Sequence, residues 1–414
     1  MLLYVLLAEK HELLLVEKVR DDETLPYRSH QRKPGRRFNA VIPAAPACHA
    51  KSKNSNRVTT EARNERISLS TLSTITLTSP LSDPAKKDAE HTRYHGQDSL
   101  FQRHPSNPIL SRKDWPYPVN SVFNAGVVRL DDGDTLLLCR VEDRSGLSHL
   151  CAARSANGID GWRIDPQPTL EANPREYPEE IWGIEDPRIT YLPEMKQYAV
   201  AYTAFARGGP CVSLAMTKDF KTFERLGVIM TPEDKDAALL PRRIGGLWAL
   251  VHRPTTSLGA HIWISYSPDL RHWGEHRVIL EARRGGWWDA NKIGLCSPFI
   301  ETEKGWLAIY HGVRQTAAGS IYRLGLALFD LQKPDVCLQR GVCWIFSPEA
   351  PYERSGDVPE VVFPCGQTIG ADGDTINLYY GASDSCMALA TGSIRTLFSW
   401  LDHNASWGDD PRVP

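Results

Sequence analysis

From about Tyr94 the chain is written in short apolar runs that alternate, or nearly alternate, with polar residues. "NAGVVRL", "DTLLLCRV", "KQYAVAYTAF", "GLWALVHR", "HIWISYS" and "GWLAIYHGV" are each bounded by Gly, Asp, Asn or Pro. That texture fits strands with one buried face, and no comparably long segment of 3.6-residue period competes with it. A repeat narrows the architecture. "ARSANGIDGW" (153–162), "AMTKDFKTFERLGVI" (215–229) and "SYSPDLRHWGEHRVIL" (265–280) share one plan: a small or hydroxyl residue ending a strand, a polar turn, then an aromatic and often another strand. Thr217 and Ser267 stand 50 residues apart, and Ser155 precedes Thr217 by 62. One four-stranded propeller blade occupies about 40–50 residues. The expected fold is therefore all-β, a five-bladed β-propeller over residues 96–400, with "LGLALFDLQKPDVCLQR" and "LYYGASDSCMALATG" in later blades and a tail at 401–414. An irregular sandwich is the alternative.

Residues 1–95 read differently. "MLLYVLLAEKHELLLVEKVR" has an apolar run of eight residues, no basic leader, and Glu9 and Lys10 directly after it, which fits a short amphipathic helix better than a signal peptide. From Asp21 to His95 the chain is polar, mixed in charge and poor in aromatics, too little apolar surface to offset the entropy of ordering. A disordered N-terminal extension is expected over 1–95.

Composition excludes several functions. A formal net charge of −2 in 414 residues supplies no attraction for nucleic acid or anionic lipid, and no run of eighteen apolar residues could span a bilayer. Nine cysteines, at 48, 139, 151, 211, 296, 337, 343, 365 and 386, show no C-x-x-C spacing. Neither a zinc site nor a disulfide framework is signalled, so no metal and a reducing, cytoplasmic setting are expected. Association between copies is left open.

The informative residues are polar ones at the ends of apolar strands: Asn124, Arg140 with Asp143, Asp186 with Arg188, Lys235 with Asp236, His252 with Arg253, Asp289 with Lys292, His311, and Asp384. In a propeller such ends converge on one mouth. Any one of them could be a structural ion pair. A cluster in nearly every blade is harder to explain that way, because buried charge is costly unless paired or used.

"WGIEDPRIT", "DKDAALLP", "LVHRP", "WWDANKIG", "GWLAIYHGV", "VVFPCG" and "YYGASD" resemble, in order, the successive signatures of glycoside hydrolase family 130. The likeness runs from about Pro108 to Leu397. It implies a five-bladed propeller acting on β-mannosides, either as an inverting phosphorylase forming α-mannose 1-phosphate or as a hydrolase. "LLPRR" departs from the Phe-Pro-Glu more common in the family, leaving linkage and acceptor open. The resemblance makes Asp186 the proton donor, working through a sugar hydroxyl, and Arg253, Lys292 and His311 a phosphate clamp. His252 shares that role or contacts sugar. Asn124, Arg140, Asp143 and Asp384 would hold the mannose hydroxyls, with Tyr310, Trp287 or Trp288 available for stacking. Phosphate is the co-substrate, and no cofactor is implied.

Two chemistries must be told apart. Water needs a second carboxylate about 6.5–9.5 Å from the acid in an inverting enzyme, for which Asp236, Asp289 and Glu142 are the candidates. Phosphate is already an anion and needs cations. A third reading, a non-catalytic carbohydrate-binding propeller, would keep the aromatics but has little reason to keep an acid beside an anion clamp.

Overall fold

The computed structural model describes residues 100–406. The expected extension over 1–95, the amphipathic helix within it, and the end of the tail beyond 406 lie outside the described residues.

Strands β1 (Gln102–Arg103) and β2 (Leu110–Ser111) come first and pair with a strand near the end of the chain. A meander follows, β3 (Ser121–Arg129), β4 (Thr135–Glu142), β5 (Ser148–Ser155) and β6 (Arg163–Ile164), then another, β7 (Ile184–Leu192), β8 (Gln197–Ala206), β9 (Gly209–Thr217) and β10 (Glu224–Met230). Strands β11 (Asp234–Leu239), β12 (Trp248–Thr256), β13 (Gly259–Ala260), β14 (Ile262–Ser267) and β15 (Gly274–Leu280) form the next group. A parallel contact of β13 joins it to β16 (Lys292–Leu295), which leads into β17 (Ile300–Thr302), β18 (Gly305–Thr316), β19 (Gly319–Phe329) and β20 (Cys337–Gly341). After the short helix α1 (Pro351–Arg354) come β21 (Val362–Ile369), β22 (Thr375–Ala382) and β23 (Cys386–Ser393). Helix α2 (Ile394–Asn404) and β24 (Ala405–Ser406), which pairs with β20, end the described chain.

The described protein is thus nearly all-β, as the alternating runs require, and the six apolar runs quoted from Tyr94 onward lie largely in strands. Its core is a series of layers between neighbouring meanders. Leu136, Leu138 and Leu150 meet Val200 and Tyr202 in one layer; Ala199, Leu214 and Met216 meet Leu239, Trp248 and Leu250 in the next. The leading strands pack together, β3 on β7 and β21, β7 on β11, and β11 on β16. Side chains at their ends are therefore brought to one place.

The three repeated turns are equivalent in space. Each closes the hairpin after the third strand of its meander, where Ser155, Thr217 or Ser267 accepts backbone N–H bonds through its hydroxyl. Asn157, Asp219 and Asp269 then accept two further N–H groups through one side-chain oxygen. The spacing seen in the sequence is this hydrogen-bonding unit.

Helix α2 was not anticipated. Leu397, Phe398, Trp400 and Leu401 are buried, an i, i+1, i+3, i+4 pattern, and the Ser393 hydroxyl caps the helix by accepting from the Thr396 N–H at 3.2 Å. The helix runs across residue 400 because Leu401 belongs to the same apolar layer as Leu326 and Leu378.

Candidate active site

Three of the leading strands carry the same irregularity. The ladders of β3, β7 and β11 slip between Phe123 and Gly126, Glu185 and Arg188, and Lys235 and Ala238. In each slip one residue takes a left-handed backbone: Asn124 (φ 46), Asp186 (φ 49) and Asp236 (φ 55). Such bulges re-aim a side chain out of the ladder. Ser383 and Asp384, both at φ 47, form the turn between β22 and β23. Left-handed backbone costs a non-glycine residue roughly 1–3 kcal/mol, so the strain marks positions where direction matters. Asn124, Asp186, Asp236 and Asp384 all face one cavity.

That cavity, with about 500 Å³ of empty space counting its open mouth, is lined by these four residues together with Arg140, Lys235, Arg253, Lys292, His311, Tyr322 and Phe363, and by Val358 and Val361. Asp186 Oδ1 accepts from Asn124 Nδ2 at 2.9 Å and Arg140 Nη1 at 3.2 Å. Burial would raise its pKa, but Arg140, then Lys235 and the Asn124 bond, outweigh it and hold the carboxyl below the usual aspartate range. Glu185 beside it is raised, by burial first, with Arg140 opposing and Asp186 adding. Asp384 is pushed up to about 7 by burial and by Asp186. Two carboxyls in one cavity are thus driven in opposite directions.

The other wall is cationic. Asp236 Oδ2 accepts from Arg253 at 2.9 and 3.0 Å, and Oδ1 from Arg188 Nη2 at 3.4 Å. Burial opposes its ionisation, yet Arg253 first and Arg188 with it outweigh that and keep it strongly acidic. His311 Nε2 lies 3.7 Å from Asp236, and burial lowers its pKa to about 3, so its ring is neutral. Gly294 makes this approach possible, since a Cβ there would fall 2.4 Å from His311 Cε1 and 2.5 Å from Asp236 Oδ2. Lys292 sits 5.2 Å from the Tyr322 ring, and burial lowers its pKa. Among the described residues neither Lys235 nor Lys292 has an ion-pair partner. With Asp186 set against Arg140 and Asp236 against Arg253, two lysines remain as surplus positive charge facing a void.

The model of a family described as beta-1,4-mannooligosaccharide phosphorylase matches residues 91–403. The beta-1,4-mannooligosaccharide phosphorylase of Ruminococcus albus is 32% identical over 317 residues, covering 74% of this chain and 92% of its own length. The beta-1,2-mannobiose phosphorylase of Listeria innocua is 39% identical over 271 residues, covering 64% and 73%. The solved structure of a beta-1,2-mannobiose phosphorylase from Listeria innocua, in complex with beta-1,2-mannobiose, superposes with a TM-score of 0.66 at 31% identity, over 73% of this chain and 99% of that one. This chain belongs to glycoside hydrolase family 130.

Within this family 130 chain the structure gathers Asn124, Arg140, Asp186, Arg253, Lys292, His311 and Asp384 into the cavity and leaves two expected residues out. Asp143 Oδ1 accepts from the Ser145 N–H and hydroxyl and the Leu147 N–H at 2.6–3.0 Å, shaping the turn between β4 and β5. His252 follows the alternation of β12, facing away from its neighbour Arg253, and is engaged by Asp234 at 2.6 Å and Ser265 Oγ at 2.7 Å. Trp288 and Tyr310 are core residues stacked on each other at 5.7 Å. Lys235 lines the cavity without having been given a role from sequence, although "DKD" set it between two acids. Tyr322 carried no signal, because an aromatic in a strand reads as core.

A strap supports the Asp384 side. Glu353, fully buried, accepts from Arg103, Tyr380 and the Glu349 and Ala350 N–H groups at 2.7–2.9 Å, fixing α1. The segment after α1 then lies on the strained turn: Val358 N–H donates to Ser383 O at 3.2 Å and Ser383 N–H to Val361 O at 3.0 Å. A Cβ on Gly356 would meet Ser383 O at 2.4 Å.

Proposed function

We propose that this β-mannoside phosphorylase cleaves the terminal mannosyl residue of a β-mannosyl oligosaccharide with inversion, giving α-mannose 1-phosphate and an acceptor one sugar shorter. The single observation that carries this is the surplus of Lys235 and Lys292 beside Arg253 in a cavity that also holds Asp186. Two unpaired lysines match the charge of hydrogen phosphate, and Arg253 adds guanidinium geometry. Neutral His311 can donate one N–H bond to a phosphate oxygen.

In this reading the phosphate oxygen attacks the anomeric carbon from the α face as the bond to the leaving oxygen breaks. Asp186 takes up the proton that hydrogen phosphate brings and passes it through a mannose hydroxyl to the leaving oxygen, so that one proton ends on the acceptor and the carboxylate is left ionised. Asp186 is ionised in the empty cavity. A bound phosphate offsets the cations that depress its pKa and adds a like charge, so substrate itself raises it toward the value an acid needs. Asn124, Arg140 and Asp384 hold mannose hydroxyls. The hydrolytic alternative is weakened by its bases: Asp236 is locked by arginines, Asp289 is buried among Arg283, Arg340 and Tyr310, and Glu142 pairs with Arg140 outside the cavity lining.

The test is phosphate dependence. Cleavage of β-1,2- or β-1,4-mannobiose is expected to require phosphate, to yield mannose 1-phosphate, and to run backwards from that product with a sugar acceptor. Free mannose released at the same rate in phosphate-free buffer would sink the reading.

The finer architecture belongs to the same proposal. The meanders and their shared turn are read as five blades whose leading strands surround one channel, with the cavity at its mouth. No cofactor or metal is assigned, because lysines and arginine neutralise the phosphate; dialysis against EDTA should leave the rate unchanged. No helix among the described residues is long and apolar enough to cross a membrane, and the scattered cysteines support a cytoplasmic setting.

A further inference from the structure

Outside the cavity lining, at the β4–β5 turn and just before β7, the chain carries exposed apolar residues that the chemistry above leaves unused. Leu147, Ile181 and Trp182 are 43%, 52% and 42% exposed. A parallel bridge between Ser148 and Gly183 makes Leu147 and Trp182 neighbours, and Ser148 Oγ accepts from Nε of the cavity residue Arg140 at 2.9 Å. Trp182 precedes Asp186 by four residues, a reach of at most about 14 Å of extended chain.

Trp182 is held in place. Its N–H donates to Phe205 O at 2.9 Å, the Phe205 N–H donates to Gly183 O at 3.2 Å, and the two rings meet edge to face at 5.3 Å and 70°. Gly183 stands at φ 101, and a Cβ there would fall 2.7 Å from Ser148 O, so glycine lets this ledge close on the β4–β5 turn. Asp143 organises that turn through the Leu147 N–H. Glu142 and Glu185, both half-buried on Arg140, add carboxylate oxygens along the same edge.

Inversion places nucleophile and leaving group on opposite faces of the sugar. Asp186 protonates the leaving oxygen, so the acceptor lies toward β7, the strand that Trp182 and Gly183 lead into. A rigid indole beside apolar side chains and acceptor carboxylates suits a pyranose, which shows an apolar C–H face and a hydroxyl edge.

We infer that Trp182, with Leu147 beside it, is a stacking platform for the second acceptor sugar of a β-mannooligosaccharide and sets the preference for chain length. The inference rests on the phosphorolytic reading for the direction in which acceptor leaves. Trp182→Ala should raise KM for β-1,2- or β-1,4-mannotriose about tenfold and leave that for the matching mannobiose within about twofold. Trp182→Phe should recover most of the loss, and thermal denaturation should show all three proteins equally folded. Equal losses on biose and triose, or an unchanged triose constant, would overturn the platform. Calorimetric titration in phosphate-free buffer separates it from the reaction. Should triose bind more tightly than biose to the unaltered enzyme and equally to Trp182→Ala, while no mannose 1-phosphate ever forms, the platform stands and phosphorolysis falls.

Discussion

Two fully buried aspartates, each between two arginines, serve opposite ends. Asp289 Oδ2 accepts from Arg283 and Arg340 at 2.8 Å and from the Tyr310 hydroxyl at 3.1 Å, and further guanidinium N–H groups are spent on the carbonyls of Gly341 and Glu281. Asp236 has Arg253 and Arg188 in the same way, but its neighbours include His311 at 3.7 Å and two lysines that face open space. Both look alike as buried charge. The difference is whether positive charge is left over and pointed at a void, and that surplus is what marks a site for an anion.

The comparison can be broken most forcefully at the closed cluster. Arg283→Met leaves Asp289 short of a partner and should cost about 3–5 kcal/mol of stability, read by denaturant titration, with the phosphate KM of the surviving folded enzyme unchanged. A changed phosphate KM would mean that the two clusters are not separate. At the open cluster the largest effect is on turnover. Asp186→Asn keeps shape and removes the proton, so kcat should fall about a hundredfold or more with mannoside binding largely kept. Near-normal rates would make Asp186 structural.

Smaller effects sharpen the contrast. Lys292→Ala should raise the phosphate KM about tenfold and the mannoside KM much less, because a lost cation weakens anion binding alone. Asp384 gives a pH signature. Its carboxyl moves from an ordinary 3.8 to about 7 on folding. The folded state therefore holds a proton that the unfolded state has lost, and stability falls as pH rises from about 4 to 7. Asp384→Asn should remove that penalty, gaining on the order of 1–4 kcal/mol at pH 8 and little at pH 4, while mannoside KM rises. Equal gains at both pH values would show that the Asp384 charge is not the cause. The mildest expectation is that deleting residues 1–90, which the family match does not reach, leaves kcat unchanged.

Much of this was legible in the chain. Alternation gave the strands, and the Ser155, Thr217 and Ser267 turns gave the repeat, because period-2 burial and a local hydrogen-bonded turn are properties of a few consecutive residues. Polar residues at strand ends pointed to Asn124, Arg140, Asp186, Arg253, Lys292, His311 and Asp384, which the fold brings to one cavity. Helix α2 escaped because its four buried positions span little more than one turn, too short for periodicity to stand out. Asp143 and His252 lie outside the cavity lining for a common reason. The residue type at a strand end is visible in sequence, but the face it takes depends on bulges and on which turn it closes.

What the sequence determined by itself is therefore whatever is local: the strand texture, the turn chemistry, and an acid and several bases at strand ends. Tertiary structure decided what depends on partners distant in the chain. It set Asp186 against Arg140, made Asp384 the carboxyl that keeps its proton, neutralised His311 by burial, and left two lysines that have no ion-pair partner among the described residues. Charge state and direction arise from neighbours brought together by packing, and no single segment of the chain contains them.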